Sequence, residues 1–207
     1  MTLTTTSYAI LGLLDLRDWS AYELAQQATR SLAYTWPVSE SQLYAEPKRL
    51  AREGLISVHE RAAGPVRSRQ VFSITAAGRR ALRAWLATEP AAPVVRIEAL
   101  LRCLLATSGG KDDLLRSLAA TREAAAQAYD NGQAMVGAMV TGELPFPERL
   151  HANVLWMTFA ADLLRLVVEW ADSAAAEVEA WDDAEHGGDP ARARRMLESL
   201  PRLLPGD

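Results

Sequence analysis

The side chains able to do covalent or metal chemistry are few and scattered. The 207-residue chain has three histidines, His59, His151 and His186, and one cysteine, Cys103, none of them spaced from another ligand as a metal site requires. Gly109-Gly110 and Gly187-Gly188 lack the flanking residues of a phosphate loop and read as turns. Asp112-Asp113 and Asp182-Asp183 fall at a helix start and a helix end, where capping or solvation accounts for carboxylates. No enzyme activity, metal or cofactor is therefore expected. What the chain does concentrate is positive charge. Residues 1–86 hold 11 Lys and Arg against 7 Asp and Glu, and the remainder 11 against 19, so the first part carries +4 and the rest −8 of a net −4. Such a division suits a polyanionic partner for the first part, provided its cations share a face.

The elements that would position those cations can be read from caps and periodicity. Tyr8 to Leu16 forms a largely buried helix, and Ser20-Ala-Tyr-Glu23 is a capping box opening a second one from Ala21 to about Thr29. Ser39-Glu-Ser-Gln42 is another capping box, and its helix ends at Gly54. Two short, partly alternating runs follow, Leu55 to Glu60 and Arg69 to Ile74, joined by RAAGPVRS: a β-hairpin with arginines at its tip. Thr75 caps a fourth helix through Leu86.

Pro47 interrupts the third helix. A proline inside a helix loses one hydrogen bond and clashes with the preceding turn, at about 3 kcal/mol. Two readings stay open. Either Pro47 bends a helix between a tip at Ser41, Gln42 and Tyr44 and a packed base at Leu50 and Leu55, or the first turn is not helical and Pro47 is an ordinary starting residue after Glu46.

Pro90 and Pro93 mark a linker over 89–94, after which everything reads helical: about Val95 to Thr107, Asp112 to about Val140, and a long segment from Leu150. In that last segment Leu150, Val154, Met157, Ala161, Leu164, Val168, Ala171, Ala175 and Val178 step by four and three, the seam of a helix that needs a partner. Trp156, Phe159, Leu163, Leu166, Val167 and Trp170 add a second apolar face, so one face can pack inside the subunit and the other against a second copy. Asp189-Pro190 starts a short final helix whose role is open. Cys103 sits in an apolar run and is expected as a buried thiol. The opening residues lack a secretory signal, and no apolar run reaches the roughly 20 residues that cross a bilayer, so a cytoplasmic location is expected.

Helix, helix, helix, Arg-tipped hairpin, helix is the order of a winged helix-turn-helix. The run YAILGLL, then SAYELAQQ, SESQLYAEPKRLAREGLI and VFSITAAGRRALRAWL resembles the PadR family of bacterial transcriptional regulators over Ser7 to Leu86, and the later helices resemble its dimerisation region. The resemblance implies a mainly α protein: a winged-helix DNA-binding domain at 1–88 and an α-helical dimerisation domain at 95–207. It implies a homodimeric regulator, usually a repressor, of a near-palindromic double-stranded DNA operator, in some members responsive to small aromatic effectors. Tyr44 matches the tyrosine of the family's recognition helix and Lys48 the basic residue after it, while Thr75, Gly78 and Arg79 match its Thr-x-x-Gly-Arg. The chain departs from the family in having Ala45 after Tyr44, where proline is frequent, and Pro47 where leucine is common.

On this basis the expected DNA contacts are Gln42 to adenine edges, Ser41 to base or phosphate, Tyr44 and Lys48 to phosphate or thymine, and Arg67 and Arg69 of the hairpin to phosphates or the minor groove. Arg49 and Arg52 are expected to be ion-paired or solvated, and one of Arg79, Arg80 and Arg83 to meet an acid. Trp156 and Trp170 could stack on a flat aromatic ligand across a dimer, although large aromatics on a bundle helix more often fill the core. The rival reading is a winged helix kept as a protein-interaction module, without specific DNA binding.

Overall fold

Local capping decides where the first helices begin. In α1 (Thr5–Leu16) the Thr4 hydroxyl accepts from the Ser7 amide at 3.2 Å, and the Ser7 hydroxyl accepts from the Thr4 amide at 2.9 Å. The structure, a computed structural model, describes residues 2–32, 35–62, 68–142, 146–185 and 187–199. Arg67 and the rest of the expected hairpin tip lie outside them. The chain divides into two compact units, 1–93 and 94–207.

In the first unit, β1 (Trp19–Ser20) leads directly into α2 (Ala21–Leu32), whose Glu23 carboxylate accepts from the Ser20 amide at 2.9 Å and the Ser20 hydroxyl at 2.6 Å. Next come α3 (Glu40–Arg52), β2 (Ile56–Ala62), β3 (Ser68–Ile74) and α4 (Ala76–Leu86). The strands form one antiparallel sheet in the order β1-β3-β2, with Ile56 opposite Ile74 and Phe72 between Val58 and Trp19. The two-residue β1 is not foreseen from the sequence, because two residues carry no period. Ile10, Leu11 and Leu14 of α1, Leu24 of α2, Leu43 and Leu50 of α3, and Ile56, Phe72 and Ile74 of the sheet are buried together as the core.

Thr75 holds the corner between sheet and α4. Its hydroxyl accepts from the Gly78 amide at 3.1 Å and donates to the Gly54 carbonyl at 2.8 Å. Gly54 ends the α3 turn at φ 71°, a left-handed conformation that glycine adopts at little cost. Gly78 is required for a different reason: a Cβ there would run into the Leu55 carbonyl oxygen and lie 2.8 Å from Ile74 Cγ1. Across α1 and α4 the rings of Tyr8 and Trp85 stack at 4.8 Å.

Pro47 lies well inside α3. Ser39 caps the helix, accepting from the Gln42 amide, so the first turn is helical and the reading of Pro47 as a starting residue is corrected. The reason is burial. Pro47 is almost fully enclosed, on the same edge as Leu43 and Leu50, and its ring packs where the core needs an apolar group. The Leu43 carbonyl still forfeits the donor that an amide at 47 would supply.

A polar knot ties α3 to α1 beside this proline. The Ser7 hydroxyl, with no exposed surface, donates to Glu46 Oε1 at 2.6 Å. The Arg49 guanidinium donates from Nε to Glu46 Oε2 at 2.9 Å, from one terminal nitrogen to Ser7 Oγ at 2.8 Å, and from the other to Glu53 at 3.0 Å. Arg49 holds the Glu46 carboxyl below the ordinary carboxylate value of 4.5, against the opposing effect of burial, and the Ser7 hydroxyl adds to the lowering. A second link joins the approach to α3 to the same turn of α1, where Trp36 Nε1 donates to Thr6 Oγ1 at 3.2 Å.

The second unit contains α5 (Glu98–Leu104), two 30-residue helices, α6 (Lys111–Val140) and α7 (Leu150–Glu179), and α8 (Pro190–Glu198). The first of these is shorter than the expected 95–107 span. Its end passes into a 3-10 turn at Ala106–Ser108, and Val94 and Val95 are exposed ahead of it. The long helices run antiparallel. Lys111 at the start of α6 donates to the Glu179 carbonyl at the end of α7 at 2.8 Å, and Arg122 pairs with Asp172 at 2.8 Å. Leu114, Leu118 and Val178 form the core here, with Cys103, Trp170 and Trp181 packed against them. Gly187 and Gly188, read from the sequence as plain turns, lie against the Trp181 ring: a Cβ on Gly187 would fall 2.7 Å from it. Asp189 caps α8 by accepting from the Ala191 amide at 2.9 Å, and Arg192 of α8 pairs with Glu177 of α7 at 2.7 Å.

Two predictions follow from this packing. Gly78→Ala should lower unfolding stability by about 1–3 kcal/mol, as overpacking against backbone does, measured by urea denaturation. Glu46→Gln should cost about 1.5–3 kcal/mol at neutral pH. Because the folded value is lowered, the Glu46 contribution is complete above 4.5 and is lost as pH falls through the lowered value. Denaturation of wild type and variant at stepwise lower pH should therefore show their difference shrinking on the acid side.

Candidate nucleic-acid interface

The turn of an α-helix, 3.6 residues, sorts the side chains of α3 into edges. Leu43, Pro47 and Leu50 face the core and are buried. Gln42, Glu46, Arg49 and Glu53 follow at spacings of four, three and four along one flank, and Ser41, Tyr44, Lys48 and Arg52 at three, four and four along the other. Ser41, Lys48 and Arg52 are exposed and Tyr44 is half-buried. The structure thus brings three of the four residues expected on this helix into one stripe.

Gln42 stands apart. Its side-chain oxygen accepts from the Ser39 amide at 3.3 Å and the Ser39 hydroxyl at 3.0 Å, so the group proposed for base edges is also half of the capping box. The Ser41 hydroxyl lies 3.1 Å from that of Ser39. Arg49 is ion-paired with Glu46 and Glu53, as its neighbours in sequence suggest. Arg52, expected with Arg49 to be ion-paired or solvated, is exposed and extends the Tyr44–Lys48 stripe. Its spacing of four from Lys48 is the signal that could have singled it out.

Of the hairpin arginines, Arg69 is described. It lies on β3 opposite Arg61 and approaches Glu23 of α2 at 3.6 Å, with both side chains substantially exposed. Glu23 is held below the ordinary carboxylate range mainly by the Ser20 hydroxyl and amide, with smaller help from Arg69 and Arg17. The Arg69 charge is thus shared with an acid rather than fully available. Arg61, not singled out from the sequence, is its exposed cross-strand neighbour. Arg79 is the arginine of α4 that meets an acid, donating to Asp15 at 2.8 Å, while Arg80 and Arg83 are exposed.

The two tryptophans considered for an effector fall differently. Trp170 packs on the core of the second unit, and Trp156, four turns of α7 earlier, is half-buried. Among the described residues no group of three or more His, Cys, Asp or Glu could hold a metal ion. Nor does any described helix have the length and apolarity to cross a membrane.

Residues 10–84 match the Transcriptional regulator PadR-like family. A curated relative, the negative transcriptional regulator PadR of Bacillus subtilis, is 31% identical over 96 residues. That match covers 46% of this chain and 53% of the relative, about half its length. The crystal structure of Bacillus subtilis PadR in complex with operator DNA superposes with a TM-score of 0.69 at 23% identity, covering 84% of this chain and 99% of that one. The same protein in complex with p-coumaric acid gives 0.62 at 22% identity, over 85% and 99%. At these identities the structural likeness is one of fold. The matching sequence is carried by the helices and sheet that build the exposed α3 stripe: it is residues 10–84 of the chain that are similar to the PadR-like family of transcriptional regulators.

Proposed function

We propose that the protein is a cytoplasmic, homodimeric transcriptional repressor whose α3 reads a near-palindromic double-stranded operator, and that a small aromatic effector releases it. The observation that carries the reading is the α3 stripe. Ser41, Tyr44, Lys48 and Arg52 present hydroxyls and cations along one exposed flank of a helix whose opposite side is core. Hydroxyl and phenol groups suit phosphate and base edges, Lys and Arg suit phosphates, and Arg67 and Arg69 of the hairpin would add backbone contacts. In this reading residues 1–88 bind DNA and residues 95–207 dimerise, with the two recognition helices about 34 Å apart, one duplex turn.

The dimer is supported by α7. Leu155 is 76% exposed, Phe159 61% and Leu166 59%, a run of large apolar side chains that a single chain leaves in water. For the effector, Trp156 and Trp170 of α7 are the candidates to stack on an aromatic ring, and Trp170 also packs on the core of the second unit.

Fluorescence anisotropy with the DNA upstream of the protein's own gene, against a scrambled duplex and across a salt series, tests the whole reading. Tight, sequence-dependent binding is expected. Lys48→Ala should weaken it and reduce the slope of log K against log salt by about one, the loss of one phosphate contact. Equal, weak binding to both duplexes would instead favour the protein-interaction module, and added p-coumaric acid probes release. Phe159→Glu should shift the protein from dimer towards monomer in sedimentation velocity while leaving its helical circular dichroism in place.

A further inference from the structure

We infer that Ser7, Glu46 and Arg49 are positioning residues for DNA recognition: they fix the pose of α3 against α1 and withhold Arg49 from the phosphate backbone. The inference rests on the DNA-binding reading above and adds to it the residues that set specificity without touching DNA.

Three observations support it. Pro47 removes a main-chain bond in the middle of α3, and the residue before a proline is disfavoured in helical conformation, so the turn from Leu43 to Pro47 is the weak point of the helix. That turn carries Tyr44 and precedes Lys48. Second, the side chains flanking the proline are cross-linked. Glu46 and Arg49 bind each other, and both bind the fully buried Ser7 hydroxyl, 2.6 Å from Glu46 and 2.8 Å from Arg49. Ser7 is in turn fixed by the α1 capping box through the Thr4 amide at 2.9 Å. A recognition helix with a weakened turn is thus held by a planar guanidinium and a carboxylate docked on another helix, and a change in that docking rotates or shifts the reading flank. Third, the flank bearing Glu46, Arg49 and Glu53 is separate from the flank bearing Tyr44, Lys48 and Arg52. Arg49 gives its donors to Glu46, Glu53 and Ser7, so of the three cations on α3 it alone is neutralised within the fold.

The test begins with a duplex selected by the wild-type protein from a randomised double-stranded library, plus a scrambled counterpart. Lys48→Ala, Arg49→Ala, Arg49→Lys and Glu46→Gln are then titrated on both across a salt series. Lys48→Ala serves as the reference, with its salt slope reduced by about one on the scrambled duplex. Arg49→Ala should keep the wild-type slope there, yet lose about tenfold in the ratio of selected to scrambled affinity, the discrimination of one well-placed base contact. Glu46→Gln should lose the same ratio. So should Arg49→Lys, which keeps the charge and helix preference but lacks the planar fork that joins Glu46 to Ser7; it decides the matter should Glu46→Gln fold poorly. The inference is overturned if Arg49→Ala reduces the slope as Lys48→Ala does, placing Arg49 on a phosphate. It is equally overturned if the variants lose both affinities by one factor, the mark of simple destabilisation, or keep the wild-type ratio. Failure of the wild type to select any sequence is a separate result, which removes the DNA-binding reading and this inference with it.

Discussion

A helix with a proline in its third turn must be held from outside, and the first unit is arranged around doing so. Leu43, Pro47 and Leu50 bury one edge of α3, which makes the proline ring part of the core instead of an exposed defect. The apolar contact fixes which edge of the helix faces the core but supplies no directional bonds. Direction comes from hydrogen bonds, which are supplied by Ser7 of α1 and the charged pair Glu46–Arg49. Packing and the knot thus act on the same helix from two sides, the buried edge at Leu43, Pro47 and Leu50 and the hydrogen bonds at Glu46 and Arg49.

That arrangement also distributes charge. Counted with its C-cap Glu53, α3 carries Lys48, Arg49 and Arg52 against Glu40, Glu46 and Glu53, so by formal count this segment is neutral and a poor candidate for a polyanion. Geometry changes the conclusion. The acids at 46 and 53 both bind Arg49 on one flank, which leaves Lys48 and Arg52 on the other with hydroxyl-bearing Ser41 and Tyr44. Likewise Arg69 and Arg79 meet Glu23 and Asp15, so part of the positive charge of the first unit serves its own packing and surface. Net charge is a poor guide to a binding face where cations and acids are sorted by helical spacing.

In the second unit the same physics leaves a different residue pattern unfinished. The heptad seam of α7 is buried at Ala171 and at Val178, which packs with Leu114 and Leu118 of α6, but Leu150 and Val154 at its beginning are exposed. One antiparallel neighbour cannot cover a helix that is apolar on two faces, and this is the physical content of the proposal that a second copy completes it. Cys103 packs on the same core and burial raises its thiol pKa, which suits a structural side chain.

Much of this was legible locally. The boxes at Ser20–Glu23 and Ser39–Gln42, the cap at Thr75, the left-handed Gly54 and the Asp189-Pro190 start are each decided within four residues, because capping satisfies orphan amides over a single turn. The long helices were legible too, since a 3.6-residue period repeated over eight turns is hard to mistake. What only tertiary structure decided depended on partners distant in sequence: the two-residue β1 exists because Phe72 and Val71 lie beside it, and Gly78 is needed because the Leu55 carbonyl passes there. Pro47 is the clearest case. Sequence alone left its place in the helix open, because the penalty of an internal proline is local while its compensation, a buried ring and the hydroxyl of Ser7 bound to the neighbouring Glu46 across 39 residues, is not.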